Sequence, residues 1–133
     1  AKAKPPRKKI LWIFPGPRPA SAKGYAQAID GTWDNYRESS GRWGADRNNF
    51  KDAADFIGWY IDQSARKNGL AKTDAEKLYL SYHEGQGGYA KGSYQSKPWL
   101  IKVASKVGKQ ADAYAGQLAG CERRFKKRFF GLF

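Results

Sequence analysis

Apolar side chains recur at helical spacing along most of the chain after residue 24, and this pattern predicts four helices. A short helix is predicted over 32–38 and a longer one over 46–67. A third helix is predicted from residue 73 through Tyr82, and the longest begins at Pro98. Since the chain shows no strong strand alternation and no internal repeat, the predicted fold class is mainly α.

The ends of the first two helices are marked by a capping residue and by glycines. Asp30 is the expected N-cap of the first helix, and Gly41 is its expected stop. Asn68-Gly69 ends the second helix, because glycine readily adopts the left-handed conformation that closes many helices. One face of the second helix is expected to carry four apolar residues, Ala54, Ile57, Ile61 and Ala65.

The last two helices are separated by a glycine-rich segment. Thr73-Asp74-Ala75-Glu76 has the spacing of a capping box and opens the third helix. Residues 85–93 contain four glycines, so they are predicted to form a loop. Pro98 suits the first turn of the fourth helix, and Gly120 closes it. The fourth helix carries one apolar face, made of Leu100, Val103, Val107, Ala111, Tyr114 and Leu118.

Residues 1–23 are expected to be extended. They hold five of the six prolines, and proline removes a backbone donor and restricts the residue before it, so a helix is excluded. Within this segment, residues 10–14 are predicted to form a short strand or an apolar strap packed on a core. The predicted organisation is a basic, proline-rich extended segment (1–23), a helical domain (24–120) and a basic-aromatic C-terminal tail (121–133).

The net charge of +13 is concentrated at the two ends of the chain. Residues 1–23 hold seven Lys/Arg and no acid, and residues 121–133 hold five Lys/Arg and one acid, whereas residues 24–120 hold thirteen basic and eleven acidic side chains. Basic ends favour a polyanionic partner, whether nucleic acid, anionic lipid or an acidic cell-wall polymer. The alternative is a solvated tail that aids solubility.

The C-terminal tail interleaves cations with aromatic residues. This composition suits contact with an anionic membrane surface or with a nucleic-acid strand. The alternative is a strap whose apolar side chains dock on the helical domain while its cations face water. The two interpretations differ in where the phenylalanine rings lie.

The chain has one cysteine, Cys121, and one histidine, His83, which excludes a metal cluster built within it, since structural zinc takes four ligands. No metal and no cofactor is predicted. Cys121 is interpreted as a small buried hydrophobic residue, or as half of a disulfide whose partner lies upstream. The apolar run over 10–14 is too short to span a bilayer. No signal peptide is recognised, so export would imply that a targeting segment has been removed.

Two stretches combine the residue types of a sugar-binding site. The first is Gly24-Tyr25-Ala26-Gln27-Ala28-Ile29-Asp30-Gly31-Thr32-Trp33. Gly24 allows positive φ or close backbone approach, and Gln27 offers a neutral donor and acceptor. Tyr25 and Trp33 offer flat apolar faces, which suit the face of a sugar ring. The alternative is a turn leading into a helix, with the aromatic rings in the core.

The second stretch is Tyr79-Leu80-Ser81-Tyr82-His83-Glu84-Gly85-Gln86-Gly87-Gly88-Tyr89. Glu84 is its only carboxylate and is therefore the internal candidate for a general acid. A general acid that works near neutral pH needs burial to raise its pKa, whereas the neighbouring glycines predict exposure. Binding substrate or holding the loop is the alternative role of Glu84. His83 either hydrogen-bonds a sugar or is a partly buried, capped histidine.

Over roughly residues 20–120, these stretches resemble two signatures of the lytic transglycosylase (SLT, goose-lysozyme-like) family. The first resembles its Gly-Leu-Met-Gln…Thr signature, and the second resembles its Ala-Tyr-Asn-Ala-Gly segment, with a histidine in place of the asparagine. The resemblance implies a lysozyme-like helical fold in which Tyr82 supports catalysis. It also implies that substrate is bound by Gly24, Tyr25, Gln27, Thr32, His83, Gly85 and Tyr89.

The resemblance further implies a peptidoglycan substrate and non-hydrolytic cleavage of its MurNAc–GlcNAc bond. One glutamate protonates the leaving oxygen and then acts as base, while the 6-hydroxyl of the sugar closes a 1,6-anhydro ring. The implied location is the bacterial cell envelope, in the periplasm or at the outer membrane. In the family this glutamate belongs to a Glu-Ser pair before the first signature, where this chain has basic, proline-rich sequence.

Three explanations of the missing glutamate are open. The favoured one is a fragment whose partner piece carries the acid. The others are a family member that binds glycan without cutting it, and the use of Glu84 as the acid. The alternative from another class is a non-catalytic basic module that binds glycan, nucleic acid or anionic membrane through its termini.

Overall fold

The computed structural model describes residues 21–131, except for the side chain of Phe130. Its elements are α1 (Asp30–Ser40), α2 (Phe50–Asn68), α3 (Ala75–Ala90), a 3-10 helix (Ser93–Ser96) and α4 (Pro98–Phe130). The prediction of a mainly helical chain is confirmed. The strand or strap predicted over 10–14 lies outside the described residues. The chain divides into two compact units, one up to Lys67 and the other from Asn68 on.

Aromatic rings form the core of the first unit. Trp33 and Tyr36 of α1 are buried with Phe56 of α2, and their ring centroids are 5.1, 5.2 and 5.5 Å apart. Burying one such side chain stabilises a fold by about 1.5–3 kcal/mol. Because an isolated helix as short as α1 is marginal in water, this packing is what stabilises it.

The buried face of α2 differs from the predicted one. Ala54 is exposed, and the predicted isoleucines at 57 and 61 are only half-buried. The large ring of Phe56 takes the core position instead, and Ala53 lies one turn before it on the same face. Ala65 is buried as expected.

Both helices of the first unit end as predicted but begin differently. Gly41 and Gly69 follow α1 and α2 with φ of 69° and 63°, in the left-handed region. Asp30 is not the N-cap of α1 but its first residue, and Ile29 precedes it without a side-chain cap. The second helix begins at Phe50 rather than at 46, because the Asn49 side chain accepts a hydrogen bond from a backbone N–H of its first turn at 3.2 Å.

The second unit is built on contacts between α3 and α4. Leu80, Leu100 and Ala104 form its buried cluster, and partly buried aromatic rings pack against them: Tyr79, Tyr89, Tyr94 and Trp99. Asp74 caps α3 by accepting a hydrogen bond from the Lys77 N–H at 3.1 Å. The predicted capping box at 73–76 is therefore wrong by one residue.

The loop predicted over 85–93 is largely helical. After Tyr82 the chain stays helical to Ala90, and the only non-helical backbone inside α3 is at Gly85. The other glycines before residue 90 have helical backbones, because nothing in a glycine itself forces a break. The prediction of a loop was wrong because it rested on the number of glycines, whereas their backbone conformations decide whether the helix continues.

The last helix begins at Pro98 as predicted but does not end at Gly120. It continues to Phe130, since one glycine inside a helix costs only about 1 kcal/mol relative to alanine and the Glu, Arg and Lys residues that follow favour helix. Phe125 and Phe129 are 69% and 54% exposed, so the docked strap is wrong for both. Cys121 is exposed as well, which corrects its interpretation as a buried residue.

Among the described residues, none of the helices combines the length and apolarity that a membrane span requires.

Candidate functional site

The first predicted stretch turns sharply at Gly24. This residue has φ of 77°, and a Cβ at this position would collide with the carbonyl oxygen of Arg47. The same carbonyl accepts a hydrogen bond from the Tyr25 N–H at 3.1 Å. Both reasons for a glycine, positive φ and close backbone approach, therefore apply here.

The side chain of Arg47 fixes the turn from the other side. Its Nη1 donates to the carbonyl oxygens of Ser21 at 3.1 Å and Ala28 at 3.0 Å, and its Nη2 pairs with Asp30 at 2.7 Å. These contacts hold both ends of the segment 21–30. This role of Arg47 was not predicted, since a single arginine far along the chain carries no periodic or motif signal.

Gln27 uses part of its amide to close the turn. Its backbone has φ of 51°, which is uncommon for a residue other than glycine. The amide Nε2 donates to the Gly24 carbonyl at 2.7 Å. Among the described residues no donor reaches the Oε1 of Gln27, so this oxygen can accept a hydrogen bond from a ligand. Contact with substrate stays a prediction.

The aromatic residues of the first stretch have different surroundings. Trp33 is buried in the core of the first unit, as the alternative interpretation had it. Tyr25 is exposed and packs edge-on against exposed Phe50, with ring centroids 5.8 Å apart. Phe50 was not predicted to belong to this group, because it stands alone in a polar stretch. Thr32 is half-buried in the first turn of α1.

The second stretch is interrupted at Gly85. Its φ of 76° and ψ of 158° lie in a region that is accessible essentially only to glycine. No atom lies within 4 Å of a Cβ built there, so the backbone alone requires the glycine. The break ends the first part of α3 directly after His83 and Glu84, and half-buried Tyr82 lies in its last turn.

The carboxylate of Glu84 is enclosed by three donors. Lys97 Nζ lies 2.7 Å from Oε2, Ser93 Oγ donates to Oε1 at 2.9 Å, and His83 Nδ1 donates to Oε2 at 3.1 Å. The Glu84 side chain is only 5% exposed. Burial by itself would raise the pKa of this carboxyl, but the hydrogen bonds from Lys97, His83 and Ser93 outweigh it and lower the pKa below its usual value. Glu84 is therefore ionised at neutral pH.

His83 lies partly buried beside Glu84 and is neutral at pH 7. Its ring meets Trp99 edge-on, with centroids 5.4 Å apart. Burial lowers the pKa of His83 below 6.5; the hydrogen bond and the charge of Glu84 act in the opposite direction, and Lys97 lowers it further. The predicted exposure is wrong for Glu84, because Ser93 and Lys97 cover its carboxylate. His83 is partly buried against Trp99, which agrees with its interpretation as a partly buried histidine.

Tyr89 is stacked rather than open to solvent. Its ring lies against that of Tyr94, with centroids 5.3 Å apart and planes 20° apart, and it packs on the buried cluster of the second unit. Burial is the main cause of its raised pKa, and the neighbouring Tyr94 raises it further. A substrate contact would have to use the ring's outer edge.

The structure thus brings the predicted site residues into two local groups. Gly24, Tyr25 and Gln27 share the turn of the first unit, and His83, Glu84 and Gly85 share the break in α3. The partners that complete these groups were not predicted: Arg47, Phe50, Ser93, Lys97 and Trp99. Among residues 21–131, no three or more His, Cys, Asp and Glu side chains lie close enough together to hold a metal ion.

Comparison with known proteins identifies the family. The family model described as the transglycosylase SLT domain matches residues 1–121. No curated protein and no solved structure gives a significant match. The match covers both groups of site residues and nearly all of the described helices. The chain therefore belongs to the transglycosylase SLT domain family.

Proposed function

We propose that this chain binds peptidoglycan through the two groups of site residues and that Glu84 is not the acid that cleaves it. Proteins of this family act on peptidoglycan in the cell envelope. The proposed reaction is the cleavage of the MurNAc–GlcNAc bond with formation of a 1,6-anhydro ring, in the periplasm or at the outer membrane.

The protonation state of Glu84 supports the second part of the proposal, that this residue is not the catalytic acid. The reaction begins with a proton on the catalytic carboxyl group, which passes to the glycosidic oxygen as the bond to C1 breaks. Glu84 is ionised at neutral pH, and Lys97, Ser93 and His83 occupy its oxygens. A carboxylate with these partners has no proton to give, and moving it to a substrate would leave Lys97 without its counter-ion.

Glu84 instead holds the break in α3 against the segment before α4. Its partners Ser93 and Lys97 lie nine and thirteen residues further along the chain. This contact fixes the position of Gly85 and of the turn that carries Tyr82. The catalytic acid is then supplied by a partner segment, corresponding to the Glu-Ser pair of the family that the chain resembles.

The first group of site residues supports glycan binding. The backbone from 21 to 30 is fixed by Arg47 before any ligand arrives, which reduces the entropy lost on binding. Tyr25 and Phe50 present exposed rings, and Gln27 presents an amide oxygen. An apolar ring face beside a neutral polar group matches the chemistry of a sugar.

Non-catalytic glycan binding is the second candidate function, and the occupied carboxylate of Glu84 favours it for the chain alone. Co-sedimentation with purified peptidoglycan measures the binding that both candidates require, and mass spectrometry of released muropeptides measures 1,6-anhydro products. We expect binding that is weakened by Tyr25→Ala and by Gln27→Ala. Trp43→Ala is the matched control, because Trp43 is as exposed as Tyr25 but lies outside both groups.

Two results would contradict these proposals. Release of anhydro products that Glu84→Gln abolishes, while the variant stays folded and still binds, would make Glu84 the acid. Failure of the chain both to sediment with peptidoglycan and to release products would refute glycan binding itself.

A further inference from the structure

The second half of α4 is an exposed amphipathic helix. From residue 112 to 129 every residue except Gly120 is exposed. At 100° per residue, one face of this part of the helix carries an apolar stripe. We call it the α4 stripe: Ala111, Tyr114, Leu118, Cys121, Phe125 and Phe129. All six lie within about 80° of one another around the helix axis.

Cations border the α4 stripe on both sides. Residues 121–130 hold five Lys/Arg and one acid. Lys126 and Arg128 lie about 80° to either side of Leu118, and Lys127 lies on the opposite face. The rings of Phe125 and Phe129 stack with centroids 5.8 Å apart. The result is an apolar line about 27 Å long, and positive charges lie on both sides of its C-terminal part, over residues 123–128.

We propose that residues 111–129 bind the surface of an anionic phospholipid membrane, with the helix axis parallel to the surface and the α4 stripe in contact with the acyl chains. Helices with Lys and Arg on the polar face and aromatic or aliphatic residues on the other lie in this way at the headgroup boundary. Tyr114 is suited to that boundary because its ring is apolar and its hydroxyl is polar. The cations then reach the lipid phosphates.

Charge distinguishes this occupant from a second copy of the chain. A parallel pair of α4 helices would place the cations of 123–128 against their own equivalents. An antiparallel pair centred on Leu118 would set these cations against Lys109 and Asp112, a single acid for five cations. Neither arrangement neutralises them. The segment 1–20 is no better as an occupant, because it holds six Lys/Arg and no acid.

The position of the apolar side chains distinguishes a membrane from nucleic acid. Phosphates alone would contact the cations at the sides and back of the helix and leave the α4 stripe in water. A lipid surface can contact both the cations and the α4 stripe, since its phosphates and its hydrocarbon lie about one helix radius apart. The inference does not depend on glycan binding or on catalysis.

Vesicle co-sedimentation of the full chain tests the proposal. We expect the chain to pellet with vesicles of phosphatidylcholine mixed with phosphatidylglycerol and to stay in solution with phosphatidylcholine alone. Added salt should weaken the binding. Phe125→Ser with Phe129→Ser should weaken it about tenfold for each ring removed from the acyl boundary. Lys126→Ser with Arg128→Ser should weaken it about fivefold for each charge.

Trp43→Ser is the control, because it removes an equally exposed aromatic ring outside α4. Circular dichroism checks that each variant keeps its helices. The proposal is overturned if the double phenylalanine variant binds anionic vesicles like the wild type, or if the chain ignores them. It is also overturned if the double phenylalanine variant loses a dimer seen by light scattering, or if the chain binds duplex DNA but not anionic vesicles.

A fluorescent probe on Cys121 gives a second measurement, which does not require a variant with weakened binding. This residue is the only cysteine of the chain and lies on the α4 stripe, so an environment-sensitive fluorophore can be attached there directly. We expect its emission to shift to the blue on anionic vesicles. The matched control carries Cys121→Ser and Lys127→Cys, which moves the probe to the opposite face, where the emission should not shift. Equal behaviour of the two probes on sedimenting vesicles would overturn the proposed orientation.

Discussion

Replacing Glu84 by glutamine tests whether this side chain holds the break in α3 or serves as an acid. Glu84→Gln keeps the size of the side chain and removes its charge. A glutamine oxygen can still accept from Lys97, and its NH2 group can point at Ser93. The variant therefore isolates what the negative charge contributes to the three contacts at 2.7, 2.9 and 3.1 Å.

The magnitude follows from these contacts. A hydrogen bond to a charged group contributes about 1.5–3 kcal/mol, and a neutral one about 0.5–1.5 kcal/mol, so three contacts lose about 3 kcal/mol in gross terms. Burying the carboxylate costs part of this in the wild type. Lys97 is 37% exposed, so water also screens the strongest contact. We expect Glu84→Gln to lower the free energy of unfolding by about 1–2 kcal/mol.

Urea unfolding measures this change, with Glu38→Gln as the matched control. Glu38 is an exposed acid on α1, and its replacement should change the free energy of unfolding by less than about 0.5 kcal/mol. A double-mutant cycle with Lys97→Met should give a coupling energy of about 1 kcal/mol between Glu84 and Lys97. If Glu84→Gln is as neutral as Glu38→Gln, or stabilises the chain, the carboxylate does not hold the break and the reasoning is refuted.

Three further predictions concern the backbone and the pH dependence. Gly85→Ala should destabilise the chain by about 1–3 kcal/mol because alanine cannot adopt its φ and ψ without strain, whereas Gly87→Ala, at a helical and uncrowded position, should be neutral or stabilising; equal urea midpoints for the two variants would contradict this. Gly24→Ala combines positive φ with a backbone collision and should cost about 2–6 kcal/mol, while Gly31→Ala, which has open space, serves as its control. Since burial lowers the pKa of His83, the unfolded chain binds a proton at this histidine more tightly than the folded chain does. The contribution of neutral His83 to stability is therefore complete above pH 6.5 and is lost as the pH falls below that value. His83→Asn should flatten this slope in unfolding measured from pH 7 to pH 5, and a wild-type stability that rises on acidification would refute the sign.

The sequence predicted the helices better than their ends, and the reason lies in how glycine acts. Gly41 and Gly24 were assigned correctly because each stands where a capping or signature pattern already demands a turn. Gly120, Gly87 and Gly88 were assigned wrongly, since a glycine permits a left-handed or extended conformation without requiring it. Whether the chain takes that conformation depends on neighbours distant in sequence.

The site could be predicted only as far as it is local. The turn at Gly24 and the pair His83 and Glu84 are contiguous, so a motif contains them. Arg47 and Lys97 are joined to these motifs by tertiary contacts across 13 to 26 residues, and no spacing rule connects a cation to a carbonyl so far away. For the same reason the burial of Glu84 was missed, because the residues that cover it, Ser93 and Lys97, lie nine and thirteen residues further along the chain, before α4.

The two signature stretches are fixed by the same kind of contact, with different consequences. In each, a glycine with positive φ changes the direction of the backbone, and a cation just before a later helix holds that turn or break in place. The cation is Arg47 before α2 in the first stretch and Lys97 before α4 in the second. Arg47 binds mainly backbone carbonyls, so it orders the turn and leaves the Gln27 oxygen and the Tyr25 ring accessible. Lys97 binds the carboxylate of Glu84, so it orders the break by occupying the group that an acid would need. Glycan binding and glycan cleavage therefore make separable demands on this chain, and a variant of Lys97 should disturb the fold of the second stretch before it frees an acid.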